Sequence, residues 1–194
     1  MLATAPVVTL ADLLPRTRVR TTALVVAAAA LTALAAQISV PVPGTPVPVT
    51  LQTFAVLLTG AALGARRGAA AQALYVAVGV LGMPVYADGQ GGWEAATGAT
   101  AGYLVGFIVA AAVVGTLAER QQDRTVLTAL PAMLFGSAVI YSFGVAWLTV
   151  HLGVSAARAV ELGLTPFVIG DVAKLVVAGL ALPAAWALVE RTRD

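Results

Sequence analysis

Two ionisable side chains of opposite sign, Asp171 and Lys174, stand three residues apart inside a long apolar stretch, Phe167 to Val189. Such a stretch is long enough to cross a bilayer as a helix, which takes roughly 20 apolar residues. An ionised side chain inside such a helix costs about 2.5–3.5 kcal/mol on insertion scales. At this spacing both side chains project from one helical face and partly neutralise each other. We interpret the pair as a binding site for a small polar molecule rather than as a structural ion pair.

The other polar residues favour binding over catalysis. The sequence has no Gly-x-x-x-x-Gly-Lys-[Ser/Thr] motif for ATP phosphates. Ser137 and His151, a conceivable nucleophile and base, fall inside and outside a predicted span, so no catalytic residue is predicted. With one histidine and no cysteine, no metal site is predicted either. The remaining polar groups are amides, hydroxyls and phenols, which can bond to a ligand in a mostly apolar cleft. They are Gln37, Gln52, Thr50, Thr53, Thr100, Tyr75, Tyr86 and Tyr103.

Composition places the chain in the membrane. Of its 194 residues, 60% are hydrophobic and only 10% are charged, whereas about 25% charged residues is typical of soluble domains. The sequence therefore predicts an all-α integral membrane protein with about six short-looped spans and no separate soluble domain.

Prolines, glycines and charges divide the sequence into an N-terminal cytoplasmic segment, residues 1–20, and one membrane domain, residues 21–190. The first segment is expected to be either a short amphipathic helix at the membrane surface or disordered. A Pro-rich turn at 41–48 and the pair Arg66-Arg67 separate the first three spans. The glycine-rich loop 85–98 has the length and composition of a lid over a binding site. The predicted spans are 21–40, 49–65, 68–83, 100–118, 126–150 and 167–189.

The distribution of basic residues orients the six predicted spans. All but two of the eleven lysines and arginines fall on one side, the exceptions being Arg158 outside and Lys174 within the membrane. By the positive-inside rule, both termini are cytoplasmic. Asp171 and Lys174 then lie in the outer half of the membrane, beneath the predicted lid. The basic residues assigned to the cytoplasmic side are Arg16, Arg18, Arg20, Arg66, Arg67, Arg120, Arg124, Arg191 and Arg193.

The first predicted span carries two pairs of alanines at a spacing of four residues, Ala23/Ala27 and Ala29/Ala33. Small residues at this spacing allow another helix to approach closely, because packing drives helix association in lipid. We interpret these alanines as a docking face for a partner helix, although an alanine-rich sequence also produces such pairs by chance.

The sequence contains the motifs Pro46 to Thr53, Gly82 to Val85, Gly102 to Leu104 and Gly170-Asp171 with Lys174. Together with shorter matches, these motifs resemble the BioY family, the biotin-capturing membrane components of energy-coupling-factor (ECF) transporters. The resemblance covers residues 21–190, with two departures. The family pattern Gly-Pro-Thr-Gly-Gly-Tyr is Gly98-Ala99-Thr100-Ala101-Gly102-Tyr103 here, and Tyr86 stands where phenylalanine is usual. The matching residues are Gln37-Ile38, Pro41, Pro43, Pro46 to Thr53, Gly79, Gly82 to Val85, Gly91-Gly92, Thr100, Gly102 to Leu104, Gly106-Phe107, Gly170-Asp171 and Lys174.

This resemblance implies a six-helix protein of a prokaryotic cytoplasmic membrane, with a biotin site near the outer surface. Asp171 suits the two N–H groups of the ureido ring, and Lys174 suits either the ureido oxygen or the carboxylate tail. Implied partners are a transmembrane coupling protein and a pair of ATP-hydrolysing subunits; neither a cofactor nor nucleic acid is expected. The ligand-binding residues implied are Asp171, Lys174, Gln52, Thr53, Tyr103, Thr100 and Tyr86.

Two alternatives remain open on the residues alone. In a proton-coupled secondary transporter of a small polar solute, Asp171 would titrate and Lys174 would tune it; the lack of evident inverted repeats argues against this class. In a purely structural membrane subunit, the same pair would only join helices.

Overall fold

The computed structural model describes residues 8–13 and 17–191, and these residues are mostly helical. Eight α-helices and one short antiparallel hairpin occur in the described ranges. The helices are α1 (Arg18–Ala36), α2 (Gln52–Leu63), α3 (Ala65–Val80), α4 (Trp93–Thr97), α5 (Ala101–Glu119), α6 (Val126–Leu152), α7 (Ala156–Gly163) and α8 (Val168–Arg191). The strands are β1 (Ser39–Val40) and β2 (Val49–Thr50), and 3-10 turns occur at Leu10–Leu13, Ala87–Gly89 and Thr165–Phe167.

Four stretches of helix in the described ranges are long and apolar enough to cross a membrane. A shorter apolar helix, α2, accompanies them. This confirms the predicted all-α class and agrees with a protein built for a bilayer. The four stretches are Arg18–Gln37, Ala101–Glu119, Val126–Leu152 and Ala156–Arg191, the last of which combines α7, a 3-10 turn and α8.

The Pro-rich segment forms a hairpin that crosses one end of the bundle. Helix α1 ends at Ala36, four residues before the predicted end of the first span, and the chain then pairs Ser39 with Thr50 and Val40 with Val49. The prolines between the strands cannot donate backbone hydrogen bonds, so the helix cannot continue through them. The hairpin brings Thr50 directly in front of α2.

The second and third helices meet at Gly64, not at Arg66-Arg67 as the charges suggested. Gly64 has φ of 84°, and both arginines lie in the first turn of α3. A side chain here would be strained by the positive φ, and its Cβ, 2.6 Å from Oε1 of Glu119, would displace that carboxylate. That carboxylate accepts a hydrogen bond of 2.9 Å from the backbone N–H of Ala65, so it caps α3.

Part of the N-terminal segment packs against this junction. Arg67 donates to Oδ1 of Asp12 at 2.9 Å and to the hydroxyl of Thr9 at 3.1 Å. Burial raises the pKa of Asp12, but the bonds from Arg67 and Thr9 outweigh it, so the pKa lies below its usual value. Residues 8–13 are therefore an ordered part of the bundle, whereas residues 1–7 and 14–16, with Arg16, and residues 192–194, with Arg193, lie outside the described residues.

Helix α5 is the central element and packs against α2, α3 and α6. Glycines permit the closest approach: a Cβ added to Gly106 would lie 3.0 Å from Cα of Ile140 in α6. Short distances between backbones increase the van der Waals contact between helices. This packing places the N-terminal end of α5, with Tyr103, beside α6 and the end of α7.

Two connections that the sequence analysis predicted to be loops contain short helices. The predicted lid, residues 85–98, includes the 3-10 turn Ala87–Gly89 and the short helix α4. The connection between α6 and α8 contains α7, whose first turn is capped by Ser155 accepting from the backbone N–H of Arg158 at 3.3 Å. Both helices lie at the end of the bundle that also carries the hairpin.

Candidate functional site

A cleft opens between the hairpin, the lid, the ends of α2, α5 and α8, and the middle of α6. All seven residues predicted to bind ligand line it, contributed by segments far apart in the chain. The other lining residues are mostly apolar, so the cleft combines a few polar groups with hydrophobic walls, as is usual for a small-molecule site. The lining residues are Val47, Pro48, Thr50, Gln52, Thr53, Tyr86, Ala87, Thr100, Tyr103, Leu104, Phe107, Tyr141, Phe167, Asp171 and Lys174.

Asp171 and Lys174 form an ion pair in the wall of the cleft. The distance between Lys174 Nζ and Asp171 Oδ1 is 2.7 Å. The same ammonium donates to the carbonyl of Thr50 at 2.6 Å and has the hydroxyl of Thr53 at 3.5 Å. These three acceptors match the three N–H groups of the ammonium, so the pair also joins α8 to the hairpin and to α2. A ligand that bonds to Lys174 has to take the place of one of them.

The second oxygen of the Asp171 carboxylate faces α6. Its Oδ2 accepts a hydrogen bond of 2.5 Å from the hydroxyl of Tyr141. Sequence reasoning missed Tyr141, although a hydroxyl in the middle of an apolar span is a usable signal, because a buried phenol requires a hydrogen-bond partner. The hydroxyl of Thr53 also donates to Oδ1, at 3.5 Å. With Lys174 and Thr53 on one oxygen and Tyr141 on the other, the carboxylate has three donors, and Asp171 is only 5% exposed.

Gln52 belongs to a hydrogen-bonded row at the start of α2. Its Nε2 donates to the hydroxyl of Tyr75 at 2.7 Å, and its Oε1 accepts from the hydroxyl of Thr50 at 3.0 Å. The ring of Tyr75 in turn packs edge-on against Tyr86, with the centroids 5.6 Å apart. The amide is therefore oriented by neighbours on both sides, and it connects the cleft to α3 and the lid.

Tyr86 anchors the lid over the cleft. Its hydroxyl donates to the carbonyl of Val76 at 2.7 Å, and burial raises the pKa of this phenol. The side chain of Gln37, at the end of α1, donates to the carbonyls of Tyr86 at 3.2 Å and Val85 at 3.4 Å. The lid is thus attached to α1 and α3 by polar contacts.

Tyr103 and Thr100 line the cleft from the start of α5. The hydroxyl of Tyr103 donates to the carbonyl of Gly163 at 2.7 Å, and its ring meets that of Tyr141 edge-on at 6.1 Å. Thr100 stands immediately before α5. Ala99 stands where the family usually has proline. The residue before it is held by Trp147, whose Nε1 donates to the carbonyl of Gly98 at 2.8 Å.

A wider vestibule of about 1030 Å³ continues from the cleft between the hairpin and the lid. Pro48, Tyr86, Ala87 and Thr100 line both spaces, so the cleft opens through them towards that end of the molecule. Within the described ranges, no three His, Cys, Asp or Glu side chains come together to hold a metal ion.

The two alanine pairs of α1 have different environments. Ala23 and Ala27 are exposed on the surface of the bundle. Ala29 is 7% exposed and belongs to the core, and Ala33 packs against that core. The docking role of the four alanines stays a prediction, and the structure leaves Ala23 and Ala27 as its exposed members.

An apolar helical bundle with a charged pair beside a cleft that opens at one end defines a membrane-embedded protein that binds a small molecule. The chain belongs to the BioY family, which it matches over residues 8–191. A protein named biotin transporter BioY from Thermotoga maritima is 41% identical over 151 residues, covering 78% of this chain and 86% of the relative. Another of that name, from Rhizobium etli, is 40% identical and covers 70% of this chain and 75% of the relative.

The fold also matches a solved structure. The crystal structure of the S-component for biotin from an ECF-type ABC transporter superimposes with a TM-score of 0.81, at 20% sequence identity. The match covers 89% of this chain and 95% of the other. The helical architecture described above is therefore shared with that structure.

Proposed function

We propose that this chain captures biotin from outside the membrane as the substrate-binding component of an ECF-type vitamin transporter. The observation that carries the proposal is the convergence of the BioY-family residues, Asp171 and Lys174 among them, on one cleft. Relatives about 40% identical over most of the chain are named biotin transporters, which supports biotin as the ligand.

The chemistry of the cleft suits biotin. Leu104, Phe107 and Phe167 supply apolar surface for the bicyclic ring. A carboxylate accepts hydrogen bonds only, so Asp171 suits the two ureido N–H groups. Lys174 suits the ureido oxygen or the carboxylate tail.

We further propose six membrane crossings, by α1, α2, α3, α5, α6 and α8, with both termini cytoplasmic. The arginine distribution supports this orientation. Helix α2, with 12 residues, spans only about 18 Å at about 1.5 Å per residue. Its mostly buried surface and the hairpin that precedes it make a short helix acceptable, because its ends contact protein rather than hydrocarbon.

The proposed partners are a transmembrane coupling protein and ATP-hydrolysing subunits. The exposed alanines of α1, Ala23 and Ala27, are the part of the predicted docking face that remains accessible to a partner helix. The proposal assigns capture to this chain and ATP hydrolysis to the partners. The cellular site is the cytoplasmic membrane of a prokaryote.

Equilibrium binding of labelled biotin to the purified chain tests the proposal. Saturable, high-affinity binding without an ion gradient or ATP is expected of a capture protein. Affinity that requires a proton gradient would favour a secondary transporter, and no binding to folded protein would contradict the proposal.

A further inference from the structure

A second cavity lies directly behind the ligand cleft, on the flank of the bundle. It is a groove of about 1180 Å³ between α6, α7 and α8, and its lining is almost entirely apolar. Leu134, Val168 and Val172, which line it, are exposed at 61%, 46% and 54%. Apolar side chains this exposed on helices that cross a bilayer face lipid. The part of the groove between α6 and α8 is therefore a bilayer-facing depression in the wall of the ligand site.

Only two residues line both the cleft and this bilayer-facing groove in the described part of the chain, Tyr141 and Asp171. They are joined by the hydrogen bond from the Tyr141 hydroxyl to Asp171 Oδ2. These two side chains and the bond between them are therefore part of the wall that separates the cleft from the groove. Lys174, on the other oxygen, lines the cleft but not the groove.

The ring of Tyr141 is held in place by two aromatic neighbours. It packs edge-on against Tyr103 at 6.1 Å and in a tilted arrangement against Phe167 at 6.3 Å. Edge-to-face packing at such distances is favourable and restricts the ring. The hydroxyl therefore has a fixed position, and it fixes in turn the rotation of the Asp171 carboxylate.

We propose that Tyr141 is a positioning residue that acts on the ligand through Asp171 and closes the binding site against the bilayer. The role rests on the proposed biotin function, since the N–H groups of the ureido ring are the donors that the carboxylate must meet. The bond to Tyr141 prevents the carboxylate from turning towards the groove. A ligand donor in the cleft, which Asp171 lines, then meets a carboxylate of fixed orientation.

The first test is a double-mutant cycle with Tyr141→Phe and Asp171→Asn, measured as biotin affinity in the full chain. Removing one charge-assisted bond should weaken binding by about tenfold in Tyr141→Phe. If Tyr141 acts through Asp171, adding its substitution to Asp171→Asn should cost less than about threefold more. Additive losses, or unchanged affinity in folded Tyr141→Phe, would overturn the positioning role.

The second test measures access from the lipid. Dicyclohexylcarbodiimide, a lipid-soluble reagent for carboxyl groups, is added to the protein in nanodiscs, and the modification of Asp171 is followed by peptide mass spectrometry. Wild-type Asp171 should resist modification, and Tyr141→Phe should be modified faster. Two results would overturn the proposed closure of the site against the bilayer. One is a rate of Asp171 modification that Tyr141→Phe leaves unchanged. The other is wild-type labelling of Asp171 as extensive as that of the exposed Glu190 on the same helix.

Ser142→Ala is the matched control. Ser142 also lines the groove, but its hydroxyl donates to the carbonyl of Ala138 at 2.7 Å, within its own helix. Its loss should change neither affinity nor labelling. Should wild-type protein fail to bind biotin at all, the proposed function fails, whereas the labelling comparison still decides whether Tyr141 separates Asp171 from the bilayer. If Tyr141→Phe does not fold, the wild-type comparison of Asp171 with Glu190 decides the closure on its own.

Discussion

Replacing Asp171 with asparagine tests the ligand site at its most constrained residue. The carboxylate is 5% exposed and accepts from Lys174 at 2.7 Å and from Tyr141 at 2.5 Å. Asparagine has almost the same size but only one acceptor oxygen, so it cannot satisfy both donors. Its NH₂ group also presents a donor where an N–H of the ligand needs an acceptor.

The magnitude follows from the loss of a hydrogen bond to a charged group. Such bonds contribute about 1.5–3 kcal/mol net, which corresponds to a loss of roughly 10- to 150-fold in affinity at about 1.4 kcal/mol per decade. Lys174→Ala should weaken binding by a comparable factor, because it leaves the carboxylate without its counter-ion. The two losses should not add, since either change disables the same unit.

Equilibrium binding of labelled biotin, together with the thermal stability of each variant, separates a binding site from a structural ion pair. A purely structural pair would lower stability and yield in both variants, while the folded fraction would still bind biotin normally. Normal affinity in well-folded Asp171→Asn would refute the site. Arg158→Ala is the control: this side chain is 56% exposed and pairs only with Glu161 among the ion pairs of the described residues, so its loss should leave affinity unchanged.

Three further predictions address orientation, docking and pH. Cysteines introduced at Ala87 and Ala156 should react with a membrane-impermeant thiol reagent on intact cells and one at Gln121 should not; labelling at Gln121 would reverse the orientation. Ala27→Trp should weaken co-purification with a coupling protein by steric exclusion and leave biotin affinity nearly intact, and the opposite result would move the docking face elsewhere. Burial raises the pKa of Asp123, so the ionised carboxylate lowers the stability of the fold, and this stability is recovered as the pH falls through the raised pKa. Asp123→Asn should therefore be at least as stable as wild type at neutral pH, and the difference in stability should shrink on acidification. A difference in stability that does not depend on pH would contradict this assignment.

The sequence was most informative where an ionised group lies in an apolar segment. Asp171 and Lys174 stand out because a charge in a membrane helix is costly unless it is paired, and their spacing alone predicted the ion pair that the structure contains. Charges at helix ends were less reliable. Arg66 and Arg67 suggested a boundary between spans, but an arginine is equally stable in the first turn of a helix when its side chain reaches an acceptor, as Arg67 reaches Asp12.

Contacts that uncharged side chains make between helices could not be predicted from the sequence. In α6 the apolar residues surround the helix, so no periodicity indicates which side of it carries Tyr141 towards Asp171, 30 residues away in the chain. The alanines of α1 pose the same problem, because small residues favour close packing within a bundle as much as docking from outside. Only the packed structure separates Ala23 and Ala27, which are exposed, from Ala29, which is buried.

The arrangement around Asp171 follows from these energetic constraints. An ionised carboxylate in a bilayer is stable only if donors surround it, yet a ligand that donates hydrogen bonds requires some of its lone pairs to stay free. Lys174 supplies the counter-charge from the same helix, and Tyr141 supplies a neutral donor on the side that faces lipid. A second cation in place of the tyrosine would compete with the ligand for the carboxylate and leave a net charge in the membrane. A neutral phenol on the lipid side therefore satisfies the second carboxylate oxygen without adding a charge to the site.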